Sequence, residues 1–79
     1  MELTLYCFPG CSYCVKVLQF IRQNNIAVQF KDTALDPANR AELVRIGGSP
    51  QVPCLIINGE ALYESDDIIK WLKDNKDKL

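Results

Sequence analysis

Residues 3–14 read Leu-Thr-Leu-Tyr-Cys-Phe-Pro-Gly-Cys-Ser-Tyr-Cys, and this stretch decides the fold. Leu3–Cys7 alternates apolar and less apolar side chains, which predicts a short β-strand. Pro9 and Gly10 then break the strand, since proline and glycine interrupt regular backbone. Cys11 and Cys14 follow the break, so a Cys-x-x-Cys pair stands where this strand gives way to the next element.

The next residues predict a helix and a second strand. Cys14, Val17, Leu18 and Ile21 have the i, i+3, i+4, i+7 spacing of one helix face. Polar residues at 23–25 end that helix, because they propagate a helix poorly. Residues 26–30 then predict a strand, and strand–helix–strand is typical of a right-handed βαβ unit with parallel strands. One face of this strand is expected to carry Ile26, Val28 and Phe30.

A second helix is expected after the βαβ unit. Asp36 is suited to cap its start, and Pro37 suits the first helical position, where no N–H is needed. Leu43 and Ile46 would form its buried side, and glycines at 47–48 would end it in a left-handed conformation.

The remaining residues predict a hairpin and a third helix. Asn58-Gly59 separates apolar runs at 52–57 and Glu60–Tyr63, and Asn-Gly is the strongest short signal for a hairpin turn. Ser65 is expected to cap the last helix, with negative charges in its first turn. The core face of that helix would consist of Ile68, Ile69, Trp71 and Leu72, with residues 74–78 frayed. The resulting order, β-α-β-α-β-β-α, predicts an α/β fold with a four-stranded mixed sheet and helices on both faces.

Size and charge narrow the classes of function. The 79 residues predict one domain over positions 1–79, and a monomer is expected. A net charge of −1 leaves no basic surplus for nucleic acid or an anionic membrane. No apolar run approaches the roughly 20 residues of a membrane span. The N-terminus lacks the pattern of a secretory signal, so a cytoplasmic location is expected.

The four cysteines allow three interpretations. A disulfide framework is disfavoured because three of them crowd into positions 7–14 and no secretory signal precedes them. Structural zinc is disfavoured because the chain has one Cys-x-x-Cys pair and no histidine. The third interpretation, a redox-active pair at Cys11 and Cys14 beside a βαβ unit, is favoured.

The predicted elements place Cys11 at a helix N-terminus. Free N–H groups and the positive end of the helix dipole stabilise a thiolate there, and such thiols have pKa values of about 3.5–7.5. Cys14 lies one turn into the helix and is expected to be more buried and less acidic. This difference predicts an attacking thiol and a resolving thiol.

Cys7 and Cys54 have no assigned part in catalysis. Free cysteine is among the most frequently buried residue types, so small core side chains are expected at both positions. Cys54 follows Pro53 directly and would lie near the dithiol if that proline is cis, where a redox or modification role is the alternative.

Taken together, these motifs resemble the glutaredoxin family. The resemblance covers essentially the whole chain and includes the segment 5–14, Val52-Pro53 as a cis-proline dipeptide, the Asn58-Gly59 hairpin and the segment 64–68. It implies a thioredoxin fold and glutathione-dependent thiol–disulfide exchange. Cys11 would attack protein disulfides and protein–glutathione mixed disulfides, and Cys14 would resolve the intermediate.

The resemblance also implies a glutathione site. The side chains and backbone expected to form it belong to Tyr13, Gln51, Val52, Pro53, Glu64, Ser65 and Asp66. Val52 would pair through its backbone with an extended substrate, and the N–H groups opening the last helix would hold the γ-glutamyl carboxylate. Lys16 is expected either to assist the thiolate or simply to be solvated.

Two departures from the family pattern keep alternatives open. Phe8 replaces a basic residue that many glutaredoxins carry three positions before the first cysteine, with Arg40 or Gln51 as candidates to compensate. Ser12 replaces a commoner proline, and family members with looser turns can share a [2Fe–2S] cluster between two chains through the Cys11 thiolate and glutathione. The alternatives are therefore a carrier reduced by thioredoxin reductase and a cluster-binding dimer. A detached glutathione-transferase domain is disfavoured, because 79 residues cannot hold its helical second domain.

Overall fold

Helices and strands follow one another in the predicted order in a computed structural model that describes residues 2–79. The N-terminal half contains β1 (Leu3–Cys7), α1 (Ser12–Gln23), β2 (Gln29–Asp32) and α2 (Pro37–Gly47). The C-terminal half contains β3 (Cys54–Ile57), β4 (Glu60–Tyr63), α3 (Ser65–Asp74) and a 3-10 turn at Lys76–Lys78. The β-α-β-α-β-β-α prediction is confirmed.

The strands of residues 2–79 form a mixed four-stranded sheet in the order β2-β1-β3-β4. β1 and β2 run parallel, as a βαβ crossover requires, with Thr4 opposite Gln29. β1 and β3 run antiparallel with Tyr6 opposite Cys54, and β4 pairs antiparallel with β3 across the hairpin. β1 is therefore an inner strand whose residues are all buried, and its last residue, Cys7, faces the start of α1.

The helices cover both faces of the sheet, as predicted. α1 and α3 pack together on one face, where their buried side chains meet alternate residues of β1 and β3. α2 covers the opposite face, where Leu43 packs against Tyr6, Cys54 and Ile56. Because successive residues of a strand point to opposite faces, Cys7 and Cys54 lie on different sides of the sheet.

The predicted bounds of β2 are wrong. The strand spans Gln29–Asp32 and not residues 26–30, and Phe30 is 43% exposed. Ile26 is buried before the strand begins, because its N–H donates to Ile21 O at 3.1 Å and holds it under α1. β2 is an edge strand, so polar residues with one open side fit it well.

Three smaller expectations about the helices are also wrong. Ser65 is the first residue of α3 and not its cap; Glu64 holds the capping position, without a side-chain capping bond. Ile46 is 39% exposed and does not join the core. Residues 76–78 form a 3-10 turn and not a frayed end, since Lys78 N–H donates to Asn75 O at 2.9 Å.

The turn and capping chemistry agrees with the sequence elsewhere. The Asp36 carboxylate accepts from Ala38 N–H at 3.0 Å, and Gly48 caps the C-terminus of α2 with a φ of 83°. Asn58 and Gly59 both have positive φ, as the hairpin turn demands. Across residues 2–79, no helix is both long enough and apolar enough to cross a membrane.

Candidate active site

Cys11 occupies the N-terminal capping position of α1, where the chain turns from β1 into the helix. The turn is closed by Cys11 N–H, which donates to Phe8 O at 3.2 Å. The Cys11 sulfur is half-buried and accepts from the backbone N–H of Cys14, the main factor that lowers its pKa. Burial opposes this as the second-largest effect, and the Cys14 thiol and the Tyr13 N–H make smaller contributions that lower the pKa further. Of the two thiols, Cys11 is therefore the one whose thiolate form the structure favours.

Cys14 lies on the inner side of α1 and is fully buried. Burial raises its pKa to about 11, partly offset by a hydrogen bond from the Phe8 backbone. Its thiol also donates to the Cys11 sulfur, an interaction that favours the thiol form of Cys14. The expected contrast between an acidic, accessible Cys11 and a buried, weakly acidic Cys14 is present in the structure.

The other two thiols are buried on opposite faces of the sheet. Cys7 ends β1 and belongs to the core that includes Cys14, whereas Cys54 packs with Leu43 beneath α2. The peptide bond before Pro53 is cis, yet Cys54 points away from the dithiol. A redox or modification role for Cys54 requires an exposed thiol, and the Cys54 side chain is fully buried.

A groove of about 460 Å³ opens beside the start of α1, between the loop before β3 and the first turn of α3. The side chains and backbone that line it belong to Tyr13, Gln51, Val52, Glu64, Ser65, Asp66 and Asp67. Six of these are residues predicted to bind glutathione. Pro53, the seventh predicted residue, is buried below the groove and does not line it. The structure thus brings six of the seven predicted residues together in one groove, while its ligand stays a prediction.

Residues that the sequence did not assign also shape this groove. Asp67 lines it from the first turn of α3, where its proximity to Ser65 and Asp66 in sequence was the available signal. The Lys16 ammonium forms an ion pair with Asp66 and so ties α1 to α3. Lys16 is also largely solvated, with 53% of its side chain exposed, which agrees with the second of the two roles expected for it. Arg40 does not line the groove.

The groove carries more acidic than basic side chains. Glu64, Asp66 and Asp67 contribute carboxylates, and the ammonium of Lys16 is already paired with Asp66. Gln51 Nε2 donates to Glu64 Oε1 at 3.2 Å, which joins the two walls at one end. Against this, the first turn of α3 has no side-chain capping bond, so its N–H groups are open to an anion.

The thiols of one chain do not form a site for an iron–sulfur cluster. A [2Fe–2S] cluster needs four thiolate ligands, and residues 2–79 contain no group of three or more metal-ligating side chains. Cys7, Cys14 and Cys54 are fully buried, which leaves Cys11 as the thiolate that this chain could offer a cluster shared with a second chain.

A mixed sheet with a dithiol at the N-terminus of its first helix defines the class of thiol–disulfide oxidoreductases with the thioredoxin fold. The sequence model of the glutaredoxin family matches residues 3–62. The chain belongs to the glutaredoxin family.

Solved structures agree with this assignment. The thioredoxin-like protein BC3987 is 30% identical, with a TM-score of 0.79 over 92% of this chain and 97% of that one. A delta-class glutathione transferase from Nilaparvata lugens is 29% identical, with a TM-score of 0.78 over 92% of this chain and 35% of that one. Glutathione transferase Omega 3C from Trametes versicolor shares the fold, with a TM-score of 0.83 at 23% identity. The aligned region covers 96% of this chain but 34% of that transferase. No curated protein sequence matches the chain significantly.

Proposed function

We propose that this protein reduces protein disulfides and protein–glutathione mixed disulfides with glutathione as the electron donor. The observation that carries the proposal is the position of Cys11 at the N-terminus of α1, two residues before Tyr13, which lines a groove whose other wall is the uncapped first turn of α3. A tripeptide with a carboxylate at its γ-glutamyl end suits such a groove, because free helix N–H groups bind carboxylates.

The reaction starts at Cys11. Its thiolate attacks the glutathione sulfur of a mixed disulfide, the S–S bond breaks, and the protein thiolate leaves with the bonding electron pair. Cys11 then carries glutathione as a new mixed disulfide. A second glutathione thiolate attacks the sulfur of that bound glutathione, which releases oxidised glutathione and restores the Cys11 thiolate. Alternatively, the Cys14 thiolate attacks Cys11, releases reduced glutathione and forms the Cys11–Cys14 disulfide.

The acidic groove supports a second candidate function. Glutathione has two carboxylates, whereas this groove holds three acidic side chains and has Phe8 in place of a cation. Repulsion between carboxylates weakens glutathione binding. A carrier reduced directly by thioredoxin reductase would need no such binding, so the acidic groove favours it as the alternative.

One assay separates the two candidates. NADPH consumption is followed with a glutathionylated peptide, once with glutathione plus glutathione reductase and once with thioredoxin reductase alone. Turnover that requires glutathione supports the proposal. Turnover with thioredoxin reductase alone contradicts it and supports the carrier.

The two cysteines are expected to differ in the glutathione-coupled assay. Cys11→Ser removes the nucleophile and should abolish activity, whereas Cys14→Ser should retain deglutathionylation because a second glutathione can release the product. Reduction of a protein disulfide that depends on the resolving thiol should fall in Cys14→Ser. Equal loss of deglutathionylation in both variants would contradict the one-thiol step.

A further inference from the structure

An apolar cleft lies on the side of α1 that faces away from α3. We define this α1–β2 cleft by the residues that line it, which are Pro9, Val15, Leu18, Gln19, Arg22 and Phe30. Its volume is about 470 Å³, within the range of ligand pockets in proteins. Helical geometry agrees with the placement. Lys16 pairs with Asp66 of α3, and Leu18, two residues further along, lies on the opposite side of the helix.

The cleft begins at the turn that carries Cys11. Pro9 lies two positions before Cys11, and Val15 N–H donates to Cys11 O at 3.0 Å one turn after it. Both residues line the cleft, whereas Tyr13 lines the groove on the α3 side. Cys11 therefore lies between two depressions of the surface, with the acidic groove on one side and the α1–β2 cleft on the other.

The surface of the cleft suits an extended peptide. Val15 is 37% exposed and Phe30 is 43% exposed, so apolar side chains of a partner would remove this surface from water. Phe30 belongs to β2, an edge strand whose outer backbone groups can hydrogen-bond to an extended chain. Apolar side chains beside an open strand edge favour a peptide segment over a small polar molecule.

The charge of the cleft selects an acidic segment. Among the described residues that line it, Arg22 is the charged one. The two ion pairs within residues 2–79 involve Lys16 and Lys31, so the exposed Arg22 guanidinium has no carboxylate partner there. The groove on the other side of Cys11 holds three acidic side chains. An acidic segment bonded to Cys11 is therefore repelled from the groove and attracted to the cleft.

The position of Arg22 fixes a spacing for that segment. Arg22 lies about three turns along α1 from Cys11, or about 16 Å at a rise of about 1.5 Å per residue. An extended chain covers this distance in about five residues. Val15 and Leu18 lie between the two ends, so the apolar side chains of the segment belong next to its cysteine.

We propose that the α1–β2 cleft binds the protein half of a disulfide substrate, an extended segment with apolar side chains next to its cysteine and a carboxylate about five residues away. The inference rests on disulfide reduction by Cys11 in the proposed function, but it does not depend on glutathione. The Cys11 thiolate attacks the sulfur of this segment, the S–S bond breaks, and the other sulfur leaves with the electron pair. The segment is then bonded to Cys11 and lies along the cleft.

The test uses synthetic peptides whose single cysteine carries a thiopyridyl disulfide. The thiolate of the reduced protein attacks the peptide sulfur, and the thiopyridyl sulfur leaves with the electron pair, takes up a proton and absorbs light as thiopyridone. The first peptide has leucines next to the cysteine and a glutamate about five residues away. The second peptide has lysine in place of the glutamate, and the third has serines in place of the leucines. Each is made with this arm before and after the cysteine, so that both chain directions are tested.

Matched variants connect the preference to the cleft. In one of the two directions, the leucine–glutamate peptide should react about three- to tenfold faster than each of the others. Arg22→Glu should reverse the preference between glutamate and lysine, and Val15→Ser should reduce the preference for leucine. Val44→Ser, at a valine of similar exposure (38%) on α2, should keep both preferences. All of these proteins should react equally with the thiopyridyl disulfide of mercaptoethanol, which has no arm.

Several results would overturn the proposal. Equal rates for the three peptides in both directions would do so, as would a preference that Arg22→Glu leaves unchanged. A dimer in light scattering that Phe30→Ser dissociates would show that a second copy of the chain fills the cleft. A protein that is inert to the mercaptoethanol reagent would contradict the nucleophilic role of Cys11 and this inference together. A failure of glutathione dependence in the NADPH assay, in contrast, would leave a peptide preference standing.

Discussion

Gly47 shows how much a single residue contributes to the groove. It is the last residue of α2, and a Cβ built there would collide with the Tyr63 hydroxyl and lie 3.2 Å from Ala61 Cβ. That hydroxyl donates to Ser49 O at 2.9 Å, in the loop that leads to Gln51 and the groove. Glycine at this position therefore makes room for the tyrosine that holds the loop.

Gly47→Ala is expected to destabilise the protein. Replacement of a helical glycine by alanine ordinarily raises the free energy of unfolding by about 1 kcal/mol. Here the tyrosine must move, at a cost of roughly 1–3 kcal/mol for overpacking plus about 1 kcal/mol for its hydrogen bond. The free energy of unfolding measured in urea should therefore fall by about 1–3 kcal/mol.

The matched control for this substitution is Gly47→Ala combined with Tyr63→Phe. Removal of the hydroxyl relieves the closest contact, so the double variant should be more stable than the two separate losses added together. Simple additivity, or a stabilising Gly47→Ala, would show that the tyrosine moves without cost.

Glu64 is the residue at which sequence reasoning about the site reached its limit. Its φ of 72° lies in the left-handed region, which non-glycine side chains rarely adopt. The local sequence carries no signal for that conformation, and a capping serine one residue later was the natural expectation. Tertiary contacts decide the outcome: the Glu64 carboxylate accepts from Gln51 across the groove, and Ser65 is buried in the first turn of α3.

α2 is attached to the rest of the molecule through few buried side chains. Within Pro37–Gly47, Leu43 is the fully buried side chain, while Ile46 is 39% exposed. A second attachment comes from the Glu42 carboxylate, which accepts from the Tyr6 hydroxyl and pairs with the Lys31 ammonium. These bonds and the Lys31 charge hold the pKa of Glu42 below its usual range.

Substitutions at two positions of α2 should therefore differ strongly. Leu43→Ala should cost about 2–5 kcal/mol, because it opens a cavity against Tyr6 and Cys54. Ile46→Ala, one turn further along, should change the free energy of unfolding by less than about 0.5 kcal/mol. Chemical denaturation measures both values, and similar losses would mean that Ile46 is buried in solution.

β2 illustrates why the strand bounds were mispredicted. The alternation of apolar residues at 26–30 is genuine, but Ile26 serves the core beneath α1 and Phe30 faces outward from an edge strand. Periodicity reports which residues are apolar and not which neighbour buries them. The hairpin was predictable because its turn depends on Asn58 and Gly59 alone.

At the scale of the whole molecule, burial favours the neutral forms of several cysteine thiols and tyrosine hydroxyls. Burial raises the pKa values of Cys14 and Cys54 to about 11, and it also raises those of Cys7, Tyr6 and Tyr63. The unfolded chain loses these protons first, from its ordinary thiol pKa near 9.0 upward. Above that pH the unfolded state binds fewer protons than the folded state, so stability falls as pH rises.

The free energy of unfolding should therefore decline between about pH 9 and pH 11 in urea titrations under reducing conditions. Cys11 acts in the opposite sense: its pKa is lowered, so its contribution is present above pH 9 and is lost as pH falls. Cys54→Val removes one thiol whose pKa is raised, so the free energy of unfolding of this variant should fall less steeply between pH 9 and pH 11. A stability that is constant across this range would contradict the assigned burial of the thiols.

The architecture and the dithiol were predictable because they depend on short-range patterns: the break after β1, the Cys-x-x-Cys spacing and the Asn-Gly turn. The packing of Cys7 and Cys14 in one core was not, since it depends on how α1 lies over the end of β1. The charge balance of the groove also required the structure, because Lys16 and Asp66 are 50 positions apart.

The inner position of β1 has a consequence for how the molecule opens. Its backbone is paired with β2 on one side and β3 on the other, and all five of its residues are buried. Amide protons on this strand are expected to exchange with solvent only when the whole sheet comes apart, whereas those of α2, which has one fully buried side chain, are expected to exchange through a smaller opening. Slow exchange along β1 would mean that the strand packed beneath the start of α1 is the last part of the protein to unfold, so Cys11 and Cys14 keep their support while α2 opens on the other face of the sheet.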